Sequence, residues 1–264
     1  MERPDWVPAD LDLDQPNAAR TYDYYLGGSH NLAVDRELAQ RVIEAMPEVP
    51  LMAQANRAFL RRAVLFCAEA GVRQFLDLGS GIPTVGNVHE VAQRAAPESR
   101  VVYVDVEPVA VAHARAILAG NARATVLQAD IREPDRILAD PAVVDLLDLS
   151  RPVAVLMVAV LPWVVEDDEV ARIVARFRDA VAPGSHLAVS HGTELIPSAV
   201  QQQYQRASSP FVVRSREQVL RLFAGFELVE PGLVYAQQWR PDWIGEVEDH
   251  PEWSRLLAGV GRKP

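Results

Sequence analysis

Three aspartates stand at the ends of short apolar segments, a placement that could build a binding site. Asp77 lies near the end of QFLDL, Asp105 ends RVVYVD, and Asp130 follows TVLQA. Each segment is typical of a buried β-strand, and parallel strands bring their carboxyl ends to one edge of a sheet. Carboxylates at that edge can accept hydrogen bonds from ribose hydroxyls and from amino groups. The pattern therefore indicates a nucleoside site.

The turn after the first segment contains Gly79, Ser80 and Gly81. This pattern alone is weak evidence, because tight turns between a strand and a helix use glycine for geometry. A nicotinamide dinucleotide usually needs a third glycine where Thr84 stands, and Asp77 would place a negative charge near its diphosphate. S-adenosylmethionine has no phosphate and carries an ammonium and a sulfonium, which a carboxylate attracts. We therefore expect S-adenosylmethionine as the cofactor, with a nicotinamide-dependent oxidoreductase as the alternative.

Asp130 and Ile131 fit the same ligand. The carboxylate could accept a hydrogen bond from the adenine amino group, and Ile131 could lie against the ring face. The alternative is a helix N-cap, because Asp130 or Asp135 precedes or opens a short helical segment. This position taken alone leaves both interpretations open, and the other two aspartates favour the ligand.

Strands and helices alternate after Gly71, which predicts an α/β fold with a doubly wound, Rossmann-like sheet. Five parallel strands and a closing antiparallel hairpin give a seven-stranded sheet. In front of it we expect an extended arm of about 20 residues and two helices. The predicted helices are Asp35–Met46, Leu51–Ala70, Gly86–Ala96, Pro108–Leu118, one through Val170–Val181, and Ser215–Phe223; the strands are Arg73–Leu78, Arg100–Asp105, Thr125–Gln128, Val153–Val158 and His186–Ser190, with Phe226–Val229 and Leu233–Trp239 as the hairpin.

The composition narrows the class of protein. The chain has 264 residues, 49% of them hydrophobic, and a formal net charge of −10. These values are typical of a globular protein, and the acidic balance works against binding to nucleic-acid phosphate. No apolar run reaches the roughly 20 residues that a membrane span needs, and the polar N-terminus does not resemble a signal peptide. We expect a cytoplasmic protein.

The cysteine and a cluster of three arginines are not interpreted as site residues. The single cysteine, Cys67, excludes an internal disulfide and lies on an apolar helix stripe, so it is interpreted as a packed thiol. No cluster has a metal-ligand spacing, and we expect no metal. Arg57, Arg61 and Arg62 lie close together and are interpreted as a solvated helix face.

Longer phrases resemble a known family. They are ARTYDYYLGG, NRAFLRRAV, QFLDLGSGIPT followed by GNVHEVAQ, VVYVDVEPVAVAHA, QADIREP, APGSHLAVSHGT and the closing GVGRKP. In this order they resemble the actinobacterial S-adenosyl methyltransferase family, first defined as a domain of unknown function. The resemblance runs from about Asn17 to Pro264. It implies a class I methyltransferase domain over residues 71–264, preceded over residues 1–70 by an arm and a helical cap or lid.

The resemblance also implies roles for individual residues. We transfer the family's cofactor contacts to the matching positions of this sequence. They are the loop around the methionine moiety, the contacts to ribose and adenine, and the segment under the sulfonium. Some positions depart from the family pattern: Pro83, Glu107, His30 and the segment Leu161–Trp163, which lies on the expected acceptor side. The implied cofactor residues are Asp77, Gly79, Ser80 and Gly81 for the methionine end, Asp105 and Val106 for ribose and adenine, Asp130 and Ile131 for adenine, and Ala159 and Val160 at the sulfonium.

The segment Thr21–Asn31 contains three tyrosines and two adjacent glycines. We interpret it as a lid, because an aromatic face attracts a sulfonium and paired glycines permit a hinge. Tyr22 is the expected cofactor contact. The alternative is an arm whose tyrosines only pack against the domain.

Methyl transfer is an in-line displacement that depends mainly on alignment, and it needs a general base only if the acceptor must lose a proton. Tyr25, His30, His89 and His191 are candidate bases, and none is assigned. The predicted activity is methyl transfer to a small-molecule acceptor. The alternative is a protein that binds the cofactor or its demethylated product without transferring the methyl group. The acceptor atom and the oligomeric state stay open.

Overall fold

Five parallel strands form the centre of the sheet in the computed structural model, which describes residues 12–83, 86–205, 210–242 and 250–264. The sheet order is β3-β2-β1-β4-β5-β8-β6, and β7 also pairs with β8. Every residue of β1 is buried, as expected for a strand covered on both faces. The strands are β1 Gln74–Leu78, β2 Arg100–Asp105, β3 Ala124–Gln128, β4 Ala154–Val158, β5 His186–Gly192, β6 Glu227–Leu228, β7 Val234–Tyr235 and β8 Leu256–Arg262.

The winding direction reverses between β1 and β4. From β1 the chain adds β2 and β3 on one side, and it then adds β4 and β5 on the other. In open α/β sheets, ligands bind at the carboxyl ends of the strands beside such a reversal. The predicted doubly wound α/β sheet is confirmed, and its reversal point places the expected ligand site beside Asp77, within β1.

Helices cover both faces of the sheet. Two hydrophobic cores lie between the helices and the sheet, one containing Phe177 on the α8 side and one containing Phe59 on the α3 side. The helices are α1 Ala18–Tyr25, α2 Ala33–Ala45, α3 Val49–Glu69, α4 Val88–Ala95, α5 Pro108–Ile117, α6 Pro134–Ala139, α7 Pro141–Val144, α8 Asp167–Ala180, α9 Ser198–Tyr204 and α10 Arg216–Arg221, with 3₁₀ turns at Leu161–Trp163, Ala236–Gln238 and Pro251–Ser254.

The closing strands pair differently from the prediction. The predicted hairpin between Phe226–Val229 and Leu233–Trp239 is wrong in its pairing, because β6 and β7 each pair with β8. β8 also pairs antiparallel with β5 along its whole length. The segment Leu256–Arg262 has two glycines, which weaken its strand pattern.

The N-terminal segment is helical from residue 18, where an arm and a loop were expected. The Asn17 side chain accepts hydrogen bonds from the N–H groups of Ala19 and Arg20, which caps α1. α1, α2, the first half of α3 and α9 share a third hydrophobic core, which contains Leu38 and Tyr204. The N-terminal helices therefore pack together with α9, a helix from the second half of the chain.

A buried arginine joins α1 to the sheet. Arg20 is 1% exposed; its Nε donates to Asp35 at 2.7 Å and its guanidinium donates to Glu107 at 2.9 Å. Glu107 is the N-cap of α5 and lies two residues after Asp105, the last residue of β2. One of the departures from the family pattern thus has a structural role, because Glu107 holds the arginine of α1.

Candidate functional site

A cavity of about 180 Å³ lies at the carboxyl ends of β1 to β4. The three strand-end aspartates meet there, together with residues of α1 and α3. All eleven residues that the sequence predicted for the cofactor line it: Tyr22, Asp77, Gly79, Ser80, Gly81, Asp105, Val106, Asp130, Ile131, Ala159 and Val160. The structure thus brings the predicted set together in one place.

The glycine turn is shaped by close packing and by internal hydrogen bonds. Gly79 has φ of 71°, and a Cβ atom on it would lie 2.2 Å from Cγ2 of Val160. The N–H groups of Gly79 and Ser80 both donate to the carbonyl of Val104, at 2.8 and 3.1 Å. The Gly81 N–H donates to Oδ2 of Asp105 at 2.6 Å. These three backbone donors are thus engaged within the protein.

This geometry is unfavourable for a diphosphate. Backbone N–H groups that cradle phosphates must point at the ligand. The helix after the turn begins only at Val88, and Glu90 accepts hydrogen bonds from the N–H groups of Gly86 and Asn87 at its start. A carboxylate of the protein therefore already satisfies two N–H groups at the start of this helix. Thr84, the sixth position of the motif, lies outside the described residues.

Asp77 is a buried acid whose charge state depends on its surroundings. It is 4% exposed, and burial raises its pKa to about 7; Arg57 lowers the pKa and Asp105 raises it further. A carboxyl group with this pKa gains a favourable partner when a cationic group enters the cavity. The site therefore suits the ammonium of an amino-acid ligand.

Asp105 is oriented by the backbone around it. Its Oδ1 accepts from the N–H of Glu107 at 2.9 Å and its Oδ2 accepts from Gly81. Burial raises the pKa of Asp105, and the N–H donors oppose that rise. Beside it, Val106 is 58% exposed and presents an uncovered apolar surface to the cavity.

Asp130 forms an ion pair that the sequence did not predict. Its carboxylate accepts from Nε of Arg132 at 3.0 and 2.9 Å and from the Arg132 backbone N–H at 2.9 Å. Burial raises the pKa of Asp130, but the hydrogen bonds from Arg132 outweigh burial, and the net pKa is lowered. The helix-cap alternative is wrong for Asp130, because the N-cap residue of α6 is Glu133.

Arg57 is a site residue that the sequence analysis missed. It lines the cavity, and its Nη2 atom is buried with no hydrogen-bond partner among the described residues. The sequence predicted that Arg57, Arg61 and Arg62 form one solvated helix face. This prediction is wrong, because the three side chains have different surroundings. Arg62 is 5% exposed and donates to the carbonyls of Trp239 and Ala236, while Arg61 pairs with Asp242 at the surface. The helical phase of Arg57 relative to the apolar stripe was the available signal.

None of the four candidate bases, Tyr25, His30, His89 and His191, lines this cavity. His191 donates from Nδ1 to the carbonyl of Gly192, and its Nε2 accepts from Arg214 at 3.0 Å. Burial lowers the pKa of His191 to about 4, so it stays neutral. His89 is bonded to the hydroxyl of Tyr103, and His30 lies against the ring of His113.

Two further searches concern the described residues only. In these ranges, no group of three or more histidine, cysteine, aspartate and glutamate side chains is placed to hold a metal ion. No helix there has the length and hydropathy needed to cross a bilayer.

The doubly wound sheet is similar to the class I methyltransferase fold, and the protein is an S-adenosylmethionine-dependent methyltransferase. The family model described as S-adenosyl methyltransferase matches residues 4–264, and the chain belongs to this family. Its cofactor is S-adenosylmethionine, as the sequence predicted. Among curated proteins, none matches this chain in sequence.

Solved structures agree with this assignment. A protein from Thermobifida fusca YX, provisionally described as a methyltransferase, is 42% identical with a TM-score of 0.91, covering 98% of this chain and 99% of its own. A DUF574 family protein from Streptomyces avermitilis MA-4680 is 38% identical with a TM-score of 0.91, covering 96% and 99%. The N-methyltransferase NodS from Bradyrhizobium japonicum WM9, solved with S-adenosyl-L-homocysteine, shares the fold at 15% identity and a TM-score of 0.50, covering 93% and 99%.

Proposed function

We propose that this enzyme transfers the methyl group of S-adenosylmethionine to a small-molecule acceptor, and that the cofactor binds in the 180 Å³ cavity. Residues 71–264 form the catalytic domain, and residues 1–70 form the cap over it. The observation that carries the proposal is the pair of opposite charges in this cavity, Asp77 and the unpartnered Nη2 of Arg57.

The amino-acid end of the cofactor fits this pair. Its ammonium would be held by Asp77 and its carboxylate by Arg57, so that both buried charges gain a partner. Residue 79 beside this pair is a glycine because the Val160 side chain occupies the space that a Cβ atom would need. A nicotinamide dinucleotide would present phosphates to Asp77 instead, which is unfavourable.

The nucleoside end fits the next two strands. Asp105 would accept from the ribose hydroxyls with the lone pairs that the backbone donors leave free. Val106 and Ile131 would cover the adenine, and Asp130 would meet its amino group. Because Arg132 already pairs with Asp130, the adenine contact must share that carboxylate.

The reacting end lies between α1 and the turn after β4. The cofactor supplies an electrophilic methyl group on a sulfonium, which becomes a neutral thioether when the methyl group leaves. Tyr22 is held in place because its hydroxyl donates to the carbonyl of Ala53 and accepts from Asn56, both at 3.0 Å. We propose that Tyr22, Ala159 and Val160 surround the sulfonium and exclude water from it. No residue is assigned as a general base.

A titration with S-adenosylhomocysteine tests the cofactor site. We expect Arg57→Gln to weaken binding by roughly 10- to 100-fold, because a charge-assisted hydrogen bond is worth about 1.5–3 kcal/mol. Arg61→Gln on the same helix is the matched control and should bind as the wild type does. Equal binding by both variants would contradict the assignment of Arg57.

Transfer itself is tested with a cofactor carrying an isotopically labelled methyl group. We expect the label to appear in a small-molecule fraction of a cell extract, and Asp77→Asn should abolish it. Label found only in protein or nucleic acid would contradict the small-molecule acceptor. Binding of S-adenosylhomocysteine with no label in any fraction would instead support the binding-only alternative.

A further inference from the structure

A second cavity, of about 70 Å³, adjoins the first. The two cavities share four lining residues, Tyr22, Asn56, Ala159 and Trp163. Two of these, Tyr22 and Ala159, are also placed at the sulfonium in the proposed function. A molecule in the second cavity would therefore lie next to the place proposed for the methyl group.

The lining of the second cavity is apolar and carries no formal charge among the described residues. Aliphatic side chains from α2, α3 and α9 form one part of it, and aromatic rings form another. None of its described lining residues is Asp, Glu, Lys, Arg or His. Burying a charged acceptor group against such a surface would cost free energy with no compensating partner.

Three aromatic rings form a continuous wall. The ring centroids of Trp163 and Tyr204 are 5.2 Å apart, those of Trp163 and Phe211 are 5.1 Å apart, and those of Tyr204 and Phe211 are 5.4 Å apart. These spacings are within the range of favourable aromatic contacts, so the wall offers ring edges and faces to another flat ring. Trp163 belongs to the Leu161–Trp163 segment that departs from the family pattern.

A pair of tyrosine hydroxyls supplies polarity. The hydroxyls of Tyr25 and Tyr204 lie 2.6 Å apart, and both residues line the cavity. Burial raises the pKa of each phenol, so both stay protonated. Since one hydroxyl donates to the other, the pair retains one further O–H donor and free acceptor lone pairs. It can therefore meet one neutral polar group.

The geometry points to the second cavity as the acceptor site, and to an acceptor whose methylated part is an uncharged, flat, six-membered ring with one polar substituent. This assignment rests on the proposed function for its position beside the methyl group.

The probe for this site is p-cresol, a single ring with a neutral hydroxyl, compared with 4-methylbenzoate, which has the same ring and a charge. Both are titrated by calorimetry into the free protein and into the protein saturated with S-adenosylhomocysteine. We expect p-cresol to bind in both states and 4-methylbenzoate to bind at least tenfold more weakly.

Two variants locate the binding. Val200→Phe fills the second cavity without touching the first, and it should abolish p-cresol binding while S-adenosylhomocysteine still binds. Val144→Phe makes the same substitution at an exposed position of α7 and is the matched control. Tyr204→Phe keeps the ring, removes one hydroxyl and should weaken p-cresol binding by about three- to tenfold; it decides the question if Val200→Phe does not fold.

The outcomes separate this inference from the proposed function. If S-adenosylhomocysteine binds and p-cresol does not, or if Val200→Phe and Tyr204→Phe bind p-cresol as the wild type does, the acceptor site is overturned alone. Equal binding of 4-methylbenzoate also overturns it. If S-adenosylhomocysteine fails to bind the wild type, the cofactor assignment falls, and the acceptor assignment falls with it.

Discussion

At the scale of single residues, the site depends on a carboxyl group that the fold holds under unfavourable conditions. Asp77 lies within a buried strand, and Tyr103 and Asp105 are close enough to interact with its charge. Arg57 offsets only part of the free-energy cost of burying the Asp77 carboxylate. Burial has the larger effect, and the pKa of Asp77 is raised to about 7. The ligand is therefore needed to complete the charge balance.

Cofactor binding should depend on pH because only ionised Asp77 attracts an ammonium. When the pH is below the Asp77 pKa of about 7, this carboxyl group is protonated in the free protein. We expect the affinity for S-adenosylhomocysteine to rise with pH through this range, by up to about tenfold per pH unit on the acid side. Calorimetric titrations between pH 5.5 and 8.5 measure it. A flat profile in the wild type would contradict the role of Asp77, and Asp77→Asn should show a flat, weak one.

The same residue should limit the stability of the free protein. Its pKa is 3.8 as the ordinary value and about 7 in the fold, so unfolding releases a proton between these two pH values. Stability from the protonated form is complete below pH 3.8 and is lost as the pH rises from there through 7. We expect Asp77→Asn to raise the melting temperature by a few degrees at pH 8, and to leave it nearly unchanged at pH 4. A decrease at pH 8 would show that the charge does not strain the fold.

At the scale of elements, the turn after β1 and the turn after β4 fit into one another. Val160 fills the space beside Gly79, and Ala159 next to it has φ of 58°, which is unusual for a residue other than glycine. Two adjacent strand ends thus hold an uncommon backbone conformation where they meet the cavity.

Gly79→Ala tests this fit. The new Cβ would meet Val160, so we expect a loss of about 2–4 kcal/mol of unfolding free energy from overpacking and positive φ together. Gly120→Ala is the matched control, with φ of 85° and nothing within 4 Å of its Cβ; it should lose only about 1 kcal/mol. Urea unfolding measures both. In the background of Val160→Gly, which removes both atoms that the new Cβ would meet, Gly79→Ala should cost less than it does alone; an equal cost would argue against the contact.

The strands and their terminal acids could be predicted because fully buried parallel strands are continuous apolar runs. The segments ending in Asp105 and Gln128 were placed within one residue for this reason. The pairing of β8 could not be predicted, since it depends on contacts with β5 and with β6 and β7 from distant parts of the chain. Arg57 was missed because the sequence does not distinguish it from the two other arginines nearby on α3. In the structure Arg57 lines the cavity, Arg61 lies at the surface and Arg62 is buried.

At the scale of the whole molecule, one buried guanidinium joins the N-terminal helices α1 and α2 to the segment that follows β2. Arg20 lies between Asp35 of α2 and Glu107 at the start of α5. Burying three charged groups is costly in itself, but removal of the cation leaves two carboxylates without compensation. The cap and the sheet should therefore behave as one unit.

Arg20→Met should destabilise the protein by about 3–5 kcal/mol, because a broken buried ion pair leaves uncompensated charge. Arg221→Met removes an exposed ion pair with Glu217 four residues away and should cost less than about 1 kcal/mol. Chemical denaturation followed by tryptophan fluorescence compares the two. A similar small effect for both variants would show that Arg20 does not join the cap to the sheet.

The Arg20 bridge also bears on backbone motion. α1 has eight residues, and an isolated helix of that length would open and close continually in water. Because its arginine is fixed by partners on α2 and at the edge of the sheet, opening α1 requires both ion pairs to break. The amide hydrogens of α1 should then exchange with deuterated solvent as slowly as those of the central strands. In both places exchange would require unfolding of the whole protein.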